Sequence, residues 1–269
     1  MARMKSFMQM TGSMAMVSMY TRLGSDEVII RTKGGPKKRH IKTKPQFEAV
    51  RRNNLEWAGC AKMSGQIRGA LERLKHMEDY PVNGALNAIC KQIQKLDSTG
   101  ENGKRSVLLS QHKEILLGFS LSRKQVLESV LRVPMEYTLN RTTGLATISI
   151  PAFNADMYLY NFRKLPYYRI TACFSGVGDM MLNESGQEYE HKSENYYDPK
   201  DGVFYSEWLP TMGWQEALDI NLIYYLEPNP VPDYMNLMLS VGVEFGQKSY
   251  GDITEPVKYS GTAKIIKVG

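Results

Sequence analysis

The stretch that decides the fold lies close to the C-terminus and reads Asn236-Leu-Met-Leu-Ser-Val-Gly-Val-Glu-Phe245. Its large apolar side chains recur at alternate positions, namely Leu237, Leu239, Val241, Val243 and Phe245. This period of two is typical of a β-strand, because successive side chains of a strand point to opposite faces of its sheet. The sequence therefore predicts a strand over residues 236–245.

Six further segments after residue 122 have the same strand character. They are residues 135–140, 145–150, 167–174, 203–209, 217–226 and 262–268. The first two are joined by Arg141-Thr-Thr-Gly144, which predicts a hairpin. Seven short strands separated by turn residues predict an antiparallel β-sandwich domain over residues 122–269.

Residues 46–121 show a helical period instead. Side chains suited to a buried face recur at three- and four-residue steps or their multiples, at Val50, Trp57, Ala61, Ser64, Ile67, Leu71 and Leu74. This spacing predicts a helix over residues 46–77, and similar patterns predict helices over 83–96 and 106–119. Because Ala61, Gly65 and Gly69 are four residues apart, we expect another backbone to approach that helix face closely.

The N-terminal residues 1–45 are predicted to be a basic arm with a β-hairpin over 13–32, a turn at 22–26 and a loop over 33–45. Seven of the 16 methionines lie in the first 20 residues, and methionine suits both irregular cores and adaptable interfaces. The predicted fold class is thus α+β: an N-terminal β-hairpin and a short helical region, followed by a C-terminal antiparallel β-sandwich.

Charge is distributed unevenly along the chain. Residues 1–56 carry twelve basic and four acidic groups, a net charge of +8, whereas the rest carries 22 basic and 24 acidic groups, a net charge of −2. The candidate binding residues are the cations that follow the hairpin: Arg31, Lys33, Lys37, Lys38, Arg39, Lys42 and Lys44. They predict either a solvated face or contact with nucleic-acid phosphates or an acidic protein surface. Few aromatic residues lie among them, so stacking on a single strand is not favoured.

The sequence contains no signature of an enzyme, a metal site or a cofactor site. Three widely spaced cysteines form no C-x-x-C motif and indicate a reducing compartment. Phosphate-loop and G-x-S-x-G motifs are absent, and the four histidines (His40, His76, His112 and His191) lie far apart and are predicted to be structural or solvated. The acidic, tyrosine-rich connection over 183–202 lacks the EF-hand spacing, so we interpret it as a solvated loop or a recognition surface. No apolar run is long enough for a membrane span.

Several segments also carry a resemblance to a known family. They are Gly12-Ser-Met-Ala-Met-Val-Ser-Met-Tyr20, Arg31-Thr-Lys-Gly-Gly35, Phe47-Glu-Ala-Val-Arg-Arg-Asn-Asn54, Gly59-Cys-Ala-Lys62, Ile67-Arg-Gly-Ala-Leu71 and Leu239-Ser-Val-Gly-Val-Glu-Phe245. In these patterns the chain resembles an uncharacterised family of cytoplasmic proteins from Bacteroidetes. The resemblance implies a cytoplasmic location and assigns no activity, cofactor or residue role.

Together these patterns predict a non-enzymatic structural or assembly protein that self-associates. The basic arm of one copy would dock on the downstream loops of another, as in a virion-like or mobile-element component. The alternative is a nucleic-acid-binding accessory protein that uses the basic segment. A carbohydrate-binding sandwich is a third hypothesis, based on Trp208, Trp214 and the tyrosine-rich connection.

Overall fold

We describe the protein from a computed structural model that covers residues 2–4, 11–21, 27–192, 202–225, 231–249, 251 and 253–269. Helices and antiparallel strands are both abundant, so the predicted mixed α+β class is confirmed. The contacts divide the chain into two compact units, Met1–Arg51 and Arg52–Gly269. The segments 46–121 and 122–269, which the sequence patterns separate, thus fall almost entirely within the second unit.

The first unit contains a four-stranded antiparallel sheet of order β1-β4-β3-β2. Its elements are β1 (Ala2–Met4), β2 (Gly12–Met14), β3 (Val17–Thr21), β4 (Val28–Thr32), helix α1 (Lys38–Thr43) and a 3₁₀ turn (Pro45–Phe47). The predicted pairing of residues 13–20 with 28–31 is present between β3 and β4, but the predicted turn over 22–26 lies outside the described residues.

Two details of the N-terminal prediction are wrong. Residues 13–20 are not one strand, because a turn at Ala15, whose φ is 47°, separates β2 from β3. Residues 33–45 are not entirely a loop, because α1 begins shortly after Pro36. Lys and Arg are good helix formers, so the basic run itself favours a helical turn once the strand has been broken.

The second unit contains four helices and thirteen strands among the described residues. The helices are α2 (Glu48–Ala70, which begins just before the unit boundary), α3 (Val82–Leu96), α4 (Leu127–Val130) and α5 (Ala155–Tyr158). The strands are β5 (Glu136–Asn140), β6 (Leu145–Ile150), β7 (Phe153–Asn154), β8 (Tyr167–Gly178), β9 (Met180–Leu182), β10 (Tyr189–His191), β11 (Gly202–Tyr205), β12 (Leu209–Pro210), β13 (Trp214–Gln215), β14 (Leu218–Ile223), β15 (Met235–Lys248), β16 (Thr254–Pro256) and β17 (Thr262–Val268). No helix of the described part is both long and apolar enough to cross a membrane.

The first two predicted helices are present and the third is absent. Helix α2 continues into a 3₁₀ helix (Glu72–Met77), so that together they cover the predicted 46–77. The helix predicted over 106–119 is replaced by two 3₁₀ turns, Leu109–Gln111 and Lys113–Ile115. This segment hydrogen-bonds to strands at its ends instead: Val107 exchanges backbone hydrogen bonds with Met180, and the Gly118 N–H donates to the Ile265 carbonyl.

The main sheet of six strands is centred on β8 and β15, which pair antiparallel over twelve residues from Met235↔Gly178 to Gly246↔Tyr167. Strands β11 and β12 pair with the outer side of β8, and β16 and β17 pair with β15. A second sheet has the order β14-β6-β5. Nearly every residue of β8 and β15 is buried, which requires cover on both faces of the main sheet.

Each face of the main sheet belongs to a different hydrophobic cluster. The alternating apolar side chains of β15, including Leu237 and Val241, share one cluster with Ile148 of β6 and Ile220 of β14. Met238, on the opposite face of β15, shares the other cluster with the helices α2 and α3. The polar or small positions between the apolar ones therefore face helices and not solvent.

Two close contacts between the helical segments and the strands require glycine. These glycines are not Gly65 and Gly69, which the four-residue spacing had indicated. A Cβ on Gly59 of α2 would lie 2.7–2.8 Å from the Tyr189 ring, and one on Gly242 of β15 would lie 2.6 Å from Met77 Sδ. In contrast, a Cβ on Gly65 would meet only an Arg68 side-chain nitrogen at 3.9 Å, and one on Gly69 would meet nothing within 4 Å. The expectation of a close approach at Gly65 and Gly69 is therefore wrong.

A buried carboxylate joins α2 to α3 and to the loop that follows it. Glu56 is 1% exposed and accepts hydrogen bonds from Lys91 Nζ (2.6 Å), from Arg105 Nε and Nη2 (2.8 Å each) and from the Gly103 N–H (2.8 Å). Burial alone would raise the pKa of Glu56, but these donors outweigh it and lower the pKa from 4.5 to about 2.

All three cysteines are buried and unpaired by disulfides. Burial raises the pKa of Cys60 to about 11 and that of Cys90 to about 12, and Cys60 Sγ donates a hydrogen bond to Gln94 Oε1 at 3.3 Å. Cys173 lies on the helix-facing side of β8, 1% exposed.

We expect Gly59→Ala and Gly65→Ala to change stability in opposite directions. The first inserts a methyl group into the Tyr189 ring and should lower the free energy of unfolding by about 1–3 kcal/mol. The second has room for the methyl group and should raise it by about 0.5–1 kcal/mol, because alanine is the better helix former. Urea unfolding of both variants measures this, and equal effects would contradict the packing at Gly59.

We expect Glu56→Gln to destabilise the protein at neutral pH by about 3 kcal/mol, since it leaves Arg105 and Lys91 without a charged partner. Because the folded-state pKa lies below the ordinary value, wild-type stability from this group is present above pH 4.5 and declines as the pH falls towards 2. The free energy of unfolding of Glu56→Gln should therefore fall less than that of wild type between pH 4.5 and 2. Unfolding at several pH values tests this, with the exposed Glu101→Gln as control. If plots of the free energy of unfolding against pH run parallel for wild type and Glu56→Gln, this role of Glu56 is refuted.

Candidate functional site

The seven predicted binding residues form an exposed cationic segment, residues 31–44. All seven side chains are solvent-exposed, and α1 has no buried residue. Within the described part of the chain none of them forms an ion pair, and the guanidinium of Arg31 contacts only the ring of Tyr20, at 5.4 Å from its centroid. Since no carboxylate of the described residues pairs with them, these charges are available to an anionic partner.

Large apolar side chains are exposed at the turn between β2 and β3. Met14 is 64% exposed and Met16 is 68% exposed, on either side of Ala15. We call this pair the methionine tip. Methionine is flexible and polarisable, so it adapts to an irregular apolar partner surface.

A second exposed apolar group lies in the larger unit. Met157, Met212 and Trp214 are 69%, 71% and 69% exposed, and we call them the Trp214 patch. They are neighbours, because β13 pairs with β7 at Trp214↔Asn154 and the Gly213 N–H donates to Asp156 Oδ2 at 2.8 Å. Large exposed apolar side chains grouped on neighbouring backbone segments are typical of interaction surfaces.

The structure also forms a site that the sequence patterns do not reveal, around Glu244 on β15. This carboxylate is 1% exposed and lies directly opposite Arg169 of β8 in the strand register. Arg169 Nε donates to Glu244 Oε1 at 2.5 Å, and His76 Nε2 of the 3₁₀ helix Glu72–Met77 donates to Glu244 Oε2 at 2.5 Å. Thr171 Oγ1 lies 3.4 Å from Oε1. Both carboxylate oxygens are thus engaged.

Aromatic rings fix the guanidinium of Arg169. Its central carbon lies 5.0 Å from the centroid of the Tyr205 ring and 4.8 Å from that of Trp208. The Trp208 ring lies against the backbone of Gly246, where a Cβ would be only 2.6 Å from it. The absence of a side chain at Gly246 therefore makes room for the ring that stacks on Arg169.

The electrostatics favour the ionised form of Glu244. Burial alone would raise its pKa, but the hydrogen bonds from His76 and Arg169 outweigh burial and lower the pKa below its ordinary value. A buried carboxylate that stays charged accepts from both Arg169 and His76 and so fixes the positions of these two side chains. His76 is 41% exposed, so this network reaches the surface.

An open cleft of about 350 Å³ lies above this network, and we call it the Glu244 cleft. It is lined by Arg73, His76, Arg169, Tyr205 and Pro256. Within the described residues Arg73 makes no ion pair or hydrogen bond through its side chain. None of these lining side chains is acidic, and the buried Glu244 accepts hydrogen bonds from two of them, Arg169 and His76.

The other candidate residues are dispersed. His76 joins the Glu244 network and is structural as predicted, although it also reaches the cleft surface. In the acidic connection, Glu188 pairs with Lys62 at 2.5 Å, whereas Glu194, Asp198 and Asp201 lie outside the described residues. Tyr189 was expected on a recognition surface, but this expectation is wrong: it is 1% exposed in the helix-facing core, and its hydroxyl donates to the Arg105 carbonyl at 2.7 Å.

No protein-family model, no curated protein and no solved structure matches this chain. The resemblance to a Bacteroidetes family therefore stays a prediction.

We expect Arg169→Met to destabilise the protein by about 3–5 kcal/mol, because it removes one partner of a buried charge pair and leaves Glu244 uncompensated. Arg132→Met is a matched control, since Arg132 is exposed and contacts the ring of Tyr160 without a buried carboxylate. Chemical unfolding of the two variants measures the difference. Equal stabilities would show that Arg169 does not compensate Glu244.

Proposed function

We propose that the protein is a non-enzymatic structural protein that self-associates, with the methionine tip of one copy packed on the Trp214 patch of another. The observation that carries this proposal is the exposure of large apolar side chains in both units. Burying them removes apolar surface from water, at about 25 cal/mol per Å². Their chemistry suits a protein partner, because methionine neither neutralises a phosphate nor pairs with a base edge.

Charge complementarity supports a second copy as the occupant. The methionine tip lies within the segment 1–56, whose net charge is +8, whereas the remainder of the chain has a net charge of −2. Net charges of opposite sign in the two segments favour the encounter of two copies.

The contact would join two different surfaces and is therefore heterologous. Such contacts produce rings when the rotation closes and filaments when it does not. Repeated subunits that exchange arms occur in shells and fibres, so a virion-like or mobile-element component is one form of this proposal, on architectural analogy. The antiparallel β-sandwich predicted for 122–269 belongs to the same proposal, supported by the cluster that β6, β8, β14 and β15 share.

Binding to nucleic acid is the second candidate function. The cationic segment supports it, since clustered exposed cations, here seven without an ion pair to any described residue, are a common electrostatic feature of phosphate-binding surfaces. Six phosphate contacts would give a log–log salt dependence of the binding constant with a slope of about −5.

Light scattering after size exclusion tests the self-association. We expect wild type to form oligomers, and Met14→Ser with Met16→Ser, or Met212→Ser with Trp214→Ser, to be monomeric. A mixture of the two double variants should form dimers and nothing larger. One variant keeps only the Trp214 patch and the other only the methionine tip, so each pair can form a single contact. Leu145→Ser, at a strand position that is 40% exposed and lies outside both surfaces, should assemble as wild type does.

A wild-type monomer at high protein concentration and low salt would refute self-association. If that monomer retained nucleic acid and lost it on charge reversal at Lys37, Lys38 and Arg39, the second candidate function would replace the first. Assembly that survives both double variants would refute the proposed contact.

A further inference from the structure

The guanidinium of Arg169 has donors that no described residue of the protein engages. Its Nε is bound to Glu244, but within the described residues neither Nη1 nor Nη2 has a hydrogen-bond partner. The guanidinium is nevertheless held in a fixed plane by Glu244 and by the rings of Tyr205 and Trp208. A preorganised planar group with two free donor nitrogens matches two oxygens of a carboxylate or phosphate.

A second guanidinium lines the same cleft. Arg73 lies on the 3₁₀ helix Glu72–Met77, three residues before His76, and has no intramolecular partner in the described chain. Arg73 and Arg169 bring two positive charges to the cleft, whereas Glu244 supplies one negative charge from below. The net charge of these three groups is therefore positive, and His76 adds to it when protonated.

Geometry further restricts the ligand to a small one. The cleft of about 350 Å³ is at the lower end of the range for small-molecule sites. Tyr205 is 42% exposed beside the arginine, and its hydroxyl has no partner among the described residues, so it offers one more polar contact. Pro256 limits the cleft on the β16 side with an apolar surface.

We propose that the Glu244 cleft binds a small anion through a phosphate or carboxylate group, with Arg169 and Arg73 as its charged ligands. Glu244 and His76 are positioning residues: the carboxylate holds the Arg169 fork and the imidazole in place and does not touch the anion. This site is independent of self-association, because none of its residues belongs to the methionine tip or the Trp214 patch.

Calorimetric titration with inorganic phosphate and, separately, with malonate tests the site, at an ionic strength kept constant with sodium chloride. We expect saturable binding of at least one of the two anions, and the stronger one identifies the preferred group. Arg73→Met should weaken that binding by at least about tenfold, since a charge-assisted hydrogen bond is lost. It should leave the free energy of unfolding unchanged, because the Arg73 side chain makes no hydrogen bond or ion pair with the described residues.

Arg132→Met serves as the control for loss of one surface cation and should bind as wild type does. The ring protons of His76, assigned in an NMR spectrum by comparison with His76→Asn, should shift on titration while those of His112 do not. Any of three results would overturn the proposal. The first is no saturable binding at millimolar anion, the second is a loss of affinity in Arg132→Met equal to that in Arg73→Met, and the third is a titration that leaves the His76 ring protons unshifted. None of these results depends on the oligomeric state, so the two proposals fail separately.

Discussion

Burial of both faces of one antiparallel sheet is the constraint on which the rest of the larger unit depends. Strands β8 and β15 pair over twelve residues and are covered by a smaller sheet on one side and by helices on the other. Any charged group on these strands must therefore find its partner inside the protein. Arg169 and Glu244 meet this requirement as direct cross-strand neighbours, and the position of His76 follows from theirs.

The same constraint explains which parts of the fold the sequence predicts. Strands β6 and β17 have the predicted bounds, because glycine or proline flanks each of them: Gly144 and Pro151 for β6, Gly261 and Gly269 for β17. Helices α2 and α3 are also predicted, since each has a long face of helical period. The third predicted helix fails because its backbone hydrogen-bonds to Met180 and Ile265, and those partners are remote in sequence. Glycine spacing fails for a related reason: only the position of Tyr189 in space reveals that Gly59 is the crowded one.

The candidate sites differ in how much of each can be identified from the sequence alone. The cationic segment is contiguous, so counting charges is sufficient to find it, and its exposure follows from the lack of acidic neighbours. The Glu244 cleft and the carboxylate below it come from five separate parts of the chain, around residues 76, 169, 205, 244 and 256, and no local pattern joins them. One sequence signal was available: Glu244 is a carboxylate inside an otherwise apolar strand, and such a residue requires a compensating partner.

The buried thiols have a practical consequence for work on this protein. Thiolate is the form that reacts with maleimides and disulfides, and the burial that raises the pKa of Cys60 and Cys90 keeps them protonated as well as inaccessible. Cys173 is enclosed between β8 and the helices. The three native cysteines of the folded protein should therefore not react with thiol reagents. A single cysteine introduced at an exposed position would take a fluorophore or spin label selectively, without removal of any native cysteine from the core.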